Sequence, residues 1–268
     1  MSGTQDCLIY VWDLQTGETV SCQRVACAPT VLKWVHQLRV SHYTSYELVM
    51  DIGNSISSGK LIYDPSRVQW SLKINPYAVP SGGGLIRSYR CLDCSPDRQY
   101  IYVGTTAGEV LVYKREAAVF RACIPVCHNG VQSICVLPHN GNVLCGGGDG
   151  MLKMLQGGDM AWELVQEARF DSRIQSLSCT SSGAELLLAC GSGQILRCLA
   201  DTFSYSVVGS GHTSAVTCMC VSRTAGSTMF ATGTLGGELR IWDASDYACV
   251  ATTVSVRVAS PPSRPILT

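Results

Sequence analysis

A repeat of about 43 residues limits this chain more than any other feature, because so short a unit cannot bury its own apolar faces and must stack on its neighbours. Four stretches share one grammar: a short apolar strand, a glycine turn and a second apolar strand. They lie at 101–113, 143–155, 188–198 and 228–243. Registered on the glycine five residues before each closing position, they close at Tyr113, Leu155, Cys198 and Trp242, spaced 42, 43 and 44 residues apart. A looser unit closes at Tyr63-Asp64, 50 residues before Tyr113. The string Cys7-Leu8-Ile9-Tyr10-Val11-Trp12-Asp13 has the form of the end of such a unit without its beginning.

That period, with several short strands per unit, is the period of propeller blades. Each blade is a four-stranded antiparallel sheet packed face to face on the next. The expected fold is therefore all-β, a propeller of about five blades plus a partial blade. The reading assigns 1–25 to the partial blade, 26–72 to a degenerate blade and 73–86 to a loop. Blades follow at 87–126, 127–168, 169–210 and 211–256, and 257–268 is expected to be a disordered, proline-bearing tail. Residues 160–168 have helical propensity, but the repeat register places them as an outer strand. At about 43 residues per blade, seven blades need roughly 300 residues. The expectation is a partial copy, an incomplete portion of a larger protein that supplies the missing blades. The alternative is a compact ring that closes by pairing residues 7–23 with strands after Trp242.

Composition agrees with close sheet packing. Of 268 residues, 46% are apolar and only 15% charged, which rules out charge-driven disorder for most of the chain. Net charge is zero, so nothing marks a nucleic-acid or anionic-membrane binder. The longest apolar runs are about five residues, as in Leu186-Leu187-Leu188-Ala189-Cys190, far short of a membrane span. The first residues have neither the basic nor the apolar region of a signal peptide. The 15 cysteines are accordingly expected to be reduced and used as small core residues, among them Cys94, Cys135, Cys179, Cys218 and Cys220.

Candidate chemistry is thin. Cys91-Leu92-Asp93-Cys94 is a C-x-x-C, but on a strand residues three apart point to opposite faces, so the pair cannot share one metal. Gly146-Gly147-Gly148-Asp149-Gly150 lacks the Lys-Ser/Thr of a phosphate loop and reads as a hairpin turn. Ser81-Gly82-Gly83-Gly84 has the same weakness. The five histidines, His36, His42, His128, His139 and His212, show no short ligand spacing. No paired carboxylates or nucleophile–base set stands out. No catalytic residue, metal or cofactor is expected.

One unit is specific. Gly211-His212 opens it, and Trp242-Asp243 closes it 30 residues after His212. This resembles the WD40 repeat, as does Trp12-Asp13. The resemblance implies a structural signature of Trp12, Asp13, Gly211, His212, Thr232, Trp242 and Asp243. In such repeats the histidine joins a network with a serine or threonine, a turn aspartate and the tryptophan. The turn Leu235-Gly236-Gly237 has no aspartate, so the network is expected to be incomplete. Three further strings are Ala28-Pro29-Thr30-Val31-Leu32-Lys33-Trp34, Gly104-Thr105-Thr106-Ala107-Gly108-Glu109-Val110-Leu111 and the glycine-rich unit at 145–150. In that succession they resemble the WD-repeat inner proteins of ciliary doublet microtubules, which implies that the chain is an incomplete portion of a larger two-propeller protein. That resemblance implies a non-enzymatic scaffold of the axonemal cytoskeleton in cilia or flagella, with tubulin and neighbouring microtubule inner proteins as partners. A general cytoplasmic WD-repeat adaptor is the second reading.

Overall fold

The computed structural model describes residues 2–3, 5–40, 43–77, 88–158, 160–209, 211–222 and 227–254. All regular structure among them is strand, in six antiparallel sheets. The first is β1 (Ser2–Gly3), β2 (Leu8–Trp12) and β3 (Thr19–Arg24). The second is β4 (Leu32–Val40), β5 (Tyr43–Ile52), β6 (Ser55–Asp64) and β7 (Gln69–Pro76). The third is β8 (Tyr89–Cys94), β9 (Tyr100–Thr105), β10 (Glu109–Lys114) and β11 (Val119–Pro125). The fourth is β12 (Val131–Val136), β13 (Val143–Gly147), β14 (Met151–Gly157) and β15 (Trp162–Arg169). The fifth is β16 (Ile174–Cys179), β17 (Glu185–Cys190), β18 (Ile195–Leu199) and β19 (Tyr205–Gly209). The sixth is β20 (Val216–Val221), β21 (Met229–Thr234), β22 (Glu238–Asp243) and β23 (Cys249–Val254).

Five sheets are thus complete up-and-down blades, and the first has three strands. Its β2 leads into Trp12-Asp13 as β22 leads into Trp242-Asp243, so the strand it lacks among the described residues is the innermost one. The inner strands β8, β12, β16 and β20 pack on one another in order, and together with β4 they line a central channel.

The registering glycines earn their place at the turn between second and third strands. Gly108, Gly150, Gly193 and Gly237 have φ of +92°, +80°, +89° and +82°, a region side-chain-bearing residues rarely enter. At Gly108 a Cβ would also lie 1.7 Å from the Cys127 carbonyl oxygen. Bulges recur at one register, at Tyr89/Cys91, Val131/Ser133, Ile174/Ser176 and Val216/Cys218, and increase the local twist of each blade.

Each gap between successive sheets holds its own apolar core. Along β17, Leu186 and Leu188 face the fourth sheet, whereas Leu187 and Ala189 face the sixth. Strands covered on both faces read as unbroken apolar runs, as this sequence does. Polar ties pin the same gaps at the channel. Lys33 pairs with Asp93, whose Oδ2 accepts the Val136 N–H at 3.0 Å. Ser133 Oγ accepts the Leu177 N–H at 3.0 Å, and Ser176 Oγ accepts the Met219 N–H at 3.1 Å.

Several expectations need correction. Lys73 to Pro76 were assigned to a loop over 73–86, but they belong to β7 and pair with β6. The rest of that loop from 78, Ser81-Gly82-Gly83-Gly84 with it, and the tail 257–268 lie outside the described residues. Ring closure by pairing 7–23 with strands after Trp242 is not what forms: β2 pairs with β1 and β3, and β23 pairs with β22. Cys218 and Cys220 are exposed rather than buried, because no described sheet covers that face of β20. Residues 160–168 do form strand, in β15.

Replacing Ser133 by alanine removes the acceptor for the buried Leu177 N–H, and should cost about 1–3 kcal/mol. The exposed Ser182→Ala should shift stability by under ~0.5 kcal/mol. Urea unfolding followed by circular dichroism compares the two, and equal effects would contradict the role given to Ser133.

Candidate functional site

The most elaborate polar cluster described lies in the sixth sheet. The Trp242 indole N–H donates to Thr232 Oγ1 at 2.8 Å. Thr232 Oγ1 lies 2.7 Å from His212 Nε2, and His212 Nδ1 lies 2.8 Å from Glu238 Oε2. The indole can only donate, so the Thr232 oxygen accepts from it and the hydroxyl hydrogen is free to go to His212 Nε2. That leaves the imidazole proton on Nδ1, donating to the Glu238 carboxylate. Arg240 holds the other Glu238 oxygen, with Nε at 2.6 Å and the second guanidinium contact at 2.5 Å. It also lies over the Trp242 ring, 5.8 Å from its centroid. Phe230 stacks on the same ring at 5.9 Å and 7°.

The network is complete, contrary to expectation. Glu238 supplies the carboxylate from the first position of β22, where a turn aspartate was sought. The signal was in the sequence, since Gly237-Glu238 follows the turn directly, but a longer side chain one place further on reaches the same histidine. Hydrogen bonds, chiefly that from His212, hold the Glu238 carboxyl below its ordinary range. Gly211 lies close to the Arg240 guanidinium: a Cβ there would come within 2.0 Å of its terminal nitrogen, so a side chain would have to displace that group.

Thr232, His212 and Glu238 have the order of a nucleophile–base–carboxylate triad. Their surroundings do not permit that chemistry. Thr232 has no exposed surface, and its oxygen already takes the indole N–H. A substrate carbonyl has no approach, so the arrangement ties the segment leading into β20 to β21 and β22.

The other signature residues are placed differently. Asp243 Oδ1 accepts from the Ser245 N–H and hydroxyl, and Asp13 Oδ1 accepts from the Gln15 and Thr16 N–H groups, so both carboxylates cap turns. Trp12 stacks on Tyr10 at 5.5 Å and is 41% exposed. It lines a groove of about 650 Å³ with Trp34, Tyr46 and Trp70. Of the remaining histidines, His128 and His139 are exposed and far from this network, and no side-chain placement is described for His36 and His42.

The C-x-x-C splits as its spacing requires. Cys91 packs between the third and fourth sheets and Cys94 between the second and third. Burial pushes both thiols up to about 12. Among the described residues no group of three or more His, Cys, Asp or Glu is arranged to hold a metal. Asp149 serves the hairpin after β13, accepting the His128 and Met151 N–H groups at 3.0 and 3.1 Å.

Radially packed four-stranded sheets with a His–Thr–Trp tie define the class of fold, a β-propeller with WD40 repeats. The WD40 family model (WD domain, G-beta repeat) matches residues 121–154 and 203–243. Over 77 residues the chain is 36% identical to cilia- and flagella-associated protein 52 of Chlamydomonas reinhardtii, a stretch covering 28% of this chain and 12% of that protein. A chain in the crystal structure of the mitotic checkpoint complex superposes with a TM-score of 0.60 at 15% identity. It covers 78% of this chain and 60% of its own length, and that likeness concerns the fold alone. The matched part is thus under two thirds of either relative.

Two outcomes follow for this site. Thr232→Val keeps the shape but strands His212 Nε2 and the indole N–H, and should cost about 2–4 kcal/mol in a denaturant titration. Glu238 has a depressed folded pKa, so its stabilisation is full above the ordinary value of 4.5 and is lost as pH falls through the folded value. Melting temperature should therefore drop on acidification below that point, and Glu238→Gln should remove that share of the slope. An unchanged slope would contradict the ionised Glu238 drawn here.

Native alkylation followed by mass spectrometry reads the cysteine environments. Cys22, Cys27, Cys123, Cys218, Cys220 and Cys249 should react first, and Cys127, Cys135, Cys145, Cys190 and Cys198 should react on unfolding. The reverse order at Cys218 and Cys145 would contradict the sheet arrangement.

Proposed function

We propose that this protein is a structural WD-repeat component of the ciliary or flagellar axoneme, binding tubulin and neighbouring proteins inside doublet microtubules. The observation that carries the reading is the 36% identity over 77 residues to cilia- and flagella-associated protein 52. The string Gly104-Thr105-Thr106-Ala107-Gly108-Glu109-Val110-Leu111, which spans the β9–β10 hairpin, supports it by resemblance.

The physical features suit a scaffold. Successive blades are joined by apolar cores and by side-chain-to-backbone bonds at the channel, so loads pass through packed sheets rather than flexible linkers. The most reactive-looking constellation, Thr232–His212–Glu238, is sealed into one blade, which favours a binding role over catalysis.

A tagged copy in a ciliated cell tests this. After detergent extraction the protein should stay with the doublet microtubules and come off only when they are dissociated. Complete release into the detergent-soluble fraction would refute the axonemal reading, and a soluble pool holding several partners would support the adaptor instead.

A further inference from the structure

Two thiols meet where the inner strands of the fourth and fifth sheets touch. Both strands carry the recurrent bulge, at Val131/Ser133 in β12 and Ile174/Ser176 in β16, so Ser133 corresponds to Ser176. Counting on from the bulge, Cys135 corresponds to Ser178 and Val136 to Cys179. Ser133 Oγ accepts the Leu177 N–H at 3.0 Å, so at this level a single Cβ–O arm reaches the neighbouring backbone. On a strand, residues two apart share a face. Cys135 and Cys179 stand two residues beyond Ser133 and Leu177, one step further along the same contact.

Three observations put the two sulfurs together. Both side chains pack on the apolar core between the fourth and fifth sheets. The Cys179 thiol donates to the carbonyl of Val136, the residue after Cys135, at 3.9 Å. The Cys135 and Cys179 side chains are also hydrogen-bonded to each other, and that bond, with burial, pushes the Cys135 thiol up from its ordinary range. The equivalent places in the neighbouring gaps hold no such pair. Between the third and fourth sheets they are Asp93 and Val136, where the carboxylate accepts the N–H at 3.0 Å. Between the fifth and sixth they are Ser178 and Val221. The thiol pair is therefore particular to one gap and is not a feature of the repeat.

Access differs between the two. Cys135 is 5% exposed, whereas Cys179 is half-buried. Both line a cavity of about 360 Å³ on the channel side, and Cys179 also lines a second one of about 340 Å³. Space of that size admits a small neutral molecule.

We propose that Cys135 and Cys179 form an oxidative modification site, at which hydrogen peroxide converts the two thiols to a disulfide that staples the inner strands of adjacent blades. Cys179, the more accessible sulfur, attacks the peroxide; the O–O bond breaks, an S–O bond forms, and one water leaves behind a sulfenic acid. The Cys135 sulfur then attacks the Cys179 sulfur. The S–S bond forms, the S–O bond breaks, and the Cys135 proton leaves with the hydroxyl as the second water. The two thiols lose two electrons and one peroxide takes them up; a thiol reductant reverses the reaction. The disulfide closes a loop from 135 to 179 that contains β13, β14 and β15, so the whole fourth blade is fastened to the fifth at the channel. The inference goes beyond the axonemal reading and stands without it, because both cysteines belong to the packing of two blades.

Dilute reduced protein is treated with hydrogen peroxide until Cys249, which is exposed, is oxidised. Remaining thiols are then blocked with N-ethylmaleimide and the monomer is digested without reductant. Mass spectrometry should find the Cys135 peptide joined to the Cys179 peptide, two hydrogens lighter than the reduced pair, as the main intramolecular link. The melting temperature of the oxidised monomer should rise by about 5 °C or more and fall back on reduction. Cys135→Val and Cys179→Ser should each abolish both the joined peptide and the rise. Should the buried Cys135→Val fail to fold, the half-buried Cys179→Ser carries the test alone. An unlinked pair in protein whose Cys249 is oxidised would overturn the proposal. So would a link that forms only in urea, or a rise in melting temperature that persists in Cys179→Ser.

Discussion

Face-to-face contact between neighbouring sheets is the interaction on which everything else in this molecule rests. An isolated four-stranded sheet of this composition would leave two apolar faces in water. Each fully buried leucine, isoleucine or valine is worth about 1.5–3 kcal/mol. Those contributions arise only where a second sheet arrives: Leu186 and Leu188 need the fourth sheet, and Leu187 and Ala189 need the sixth. Low charge, many glycines and many cysteines follow from the same demand, since sheets approach closely only where side chains are small. Gly104 against Val131 and Gly146 against Ile174 are two such approaches.

Polar groups then set the register that apolar contact leaves loose. Ser133, Ser176 and Asp93 each accept a backbone N–H from the next inner strand, which fixes neighbouring blades along the channel axis. Within the sixth blade the Trp242–Thr232–His212–Glu238 chain does the corresponding work between strands. Its resemblance to a catalytic triad is one of composition. A hydroxyl with no exposed surface, already accepting an indole N–H, is a structural hydrogen bond and cannot serve as a nucleophile. This separation of geometry from accessibility is why the scaffold reading is preferred to an enzymatic one.

Much of the architecture was legible from the chain itself. The 42-, 43- and 44-residue spacings predicted the blades, and the registering glycines predicted turns whose φ values are positive. The period-2 geometry of strands separated Cys91 from Cys94 before any coordinates did. The WD signature pointed to His212, Thr232 and Trp242, and all three meet. Glu238 was missed because the search was for a short acid in the turn, whereas a longer acid at the start of β22 spans the same gap. Lys73 to Pro76 were missed because Asn75-Pro76 carries loop residues, yet they extend an outer strand, where a missing N–H is tolerated.

What the sequence determined by itself is the repeat, the strand pattern and which faces are apolar, because those depend on spacing and side-chain type. What it could not determine is which of those faces is covered. Ile195 and Leu239 hold the same place in their blades and read alike as core residues. One is fully buried and the other 43% exposed, and Cys218 and Cys220 are exposed for the same reason. Burial belongs to a pair of sheets, so only the tertiary arrangement, in which β20–β23 cover the fifth sheet and no described sheet covers them in turn, could separate the two.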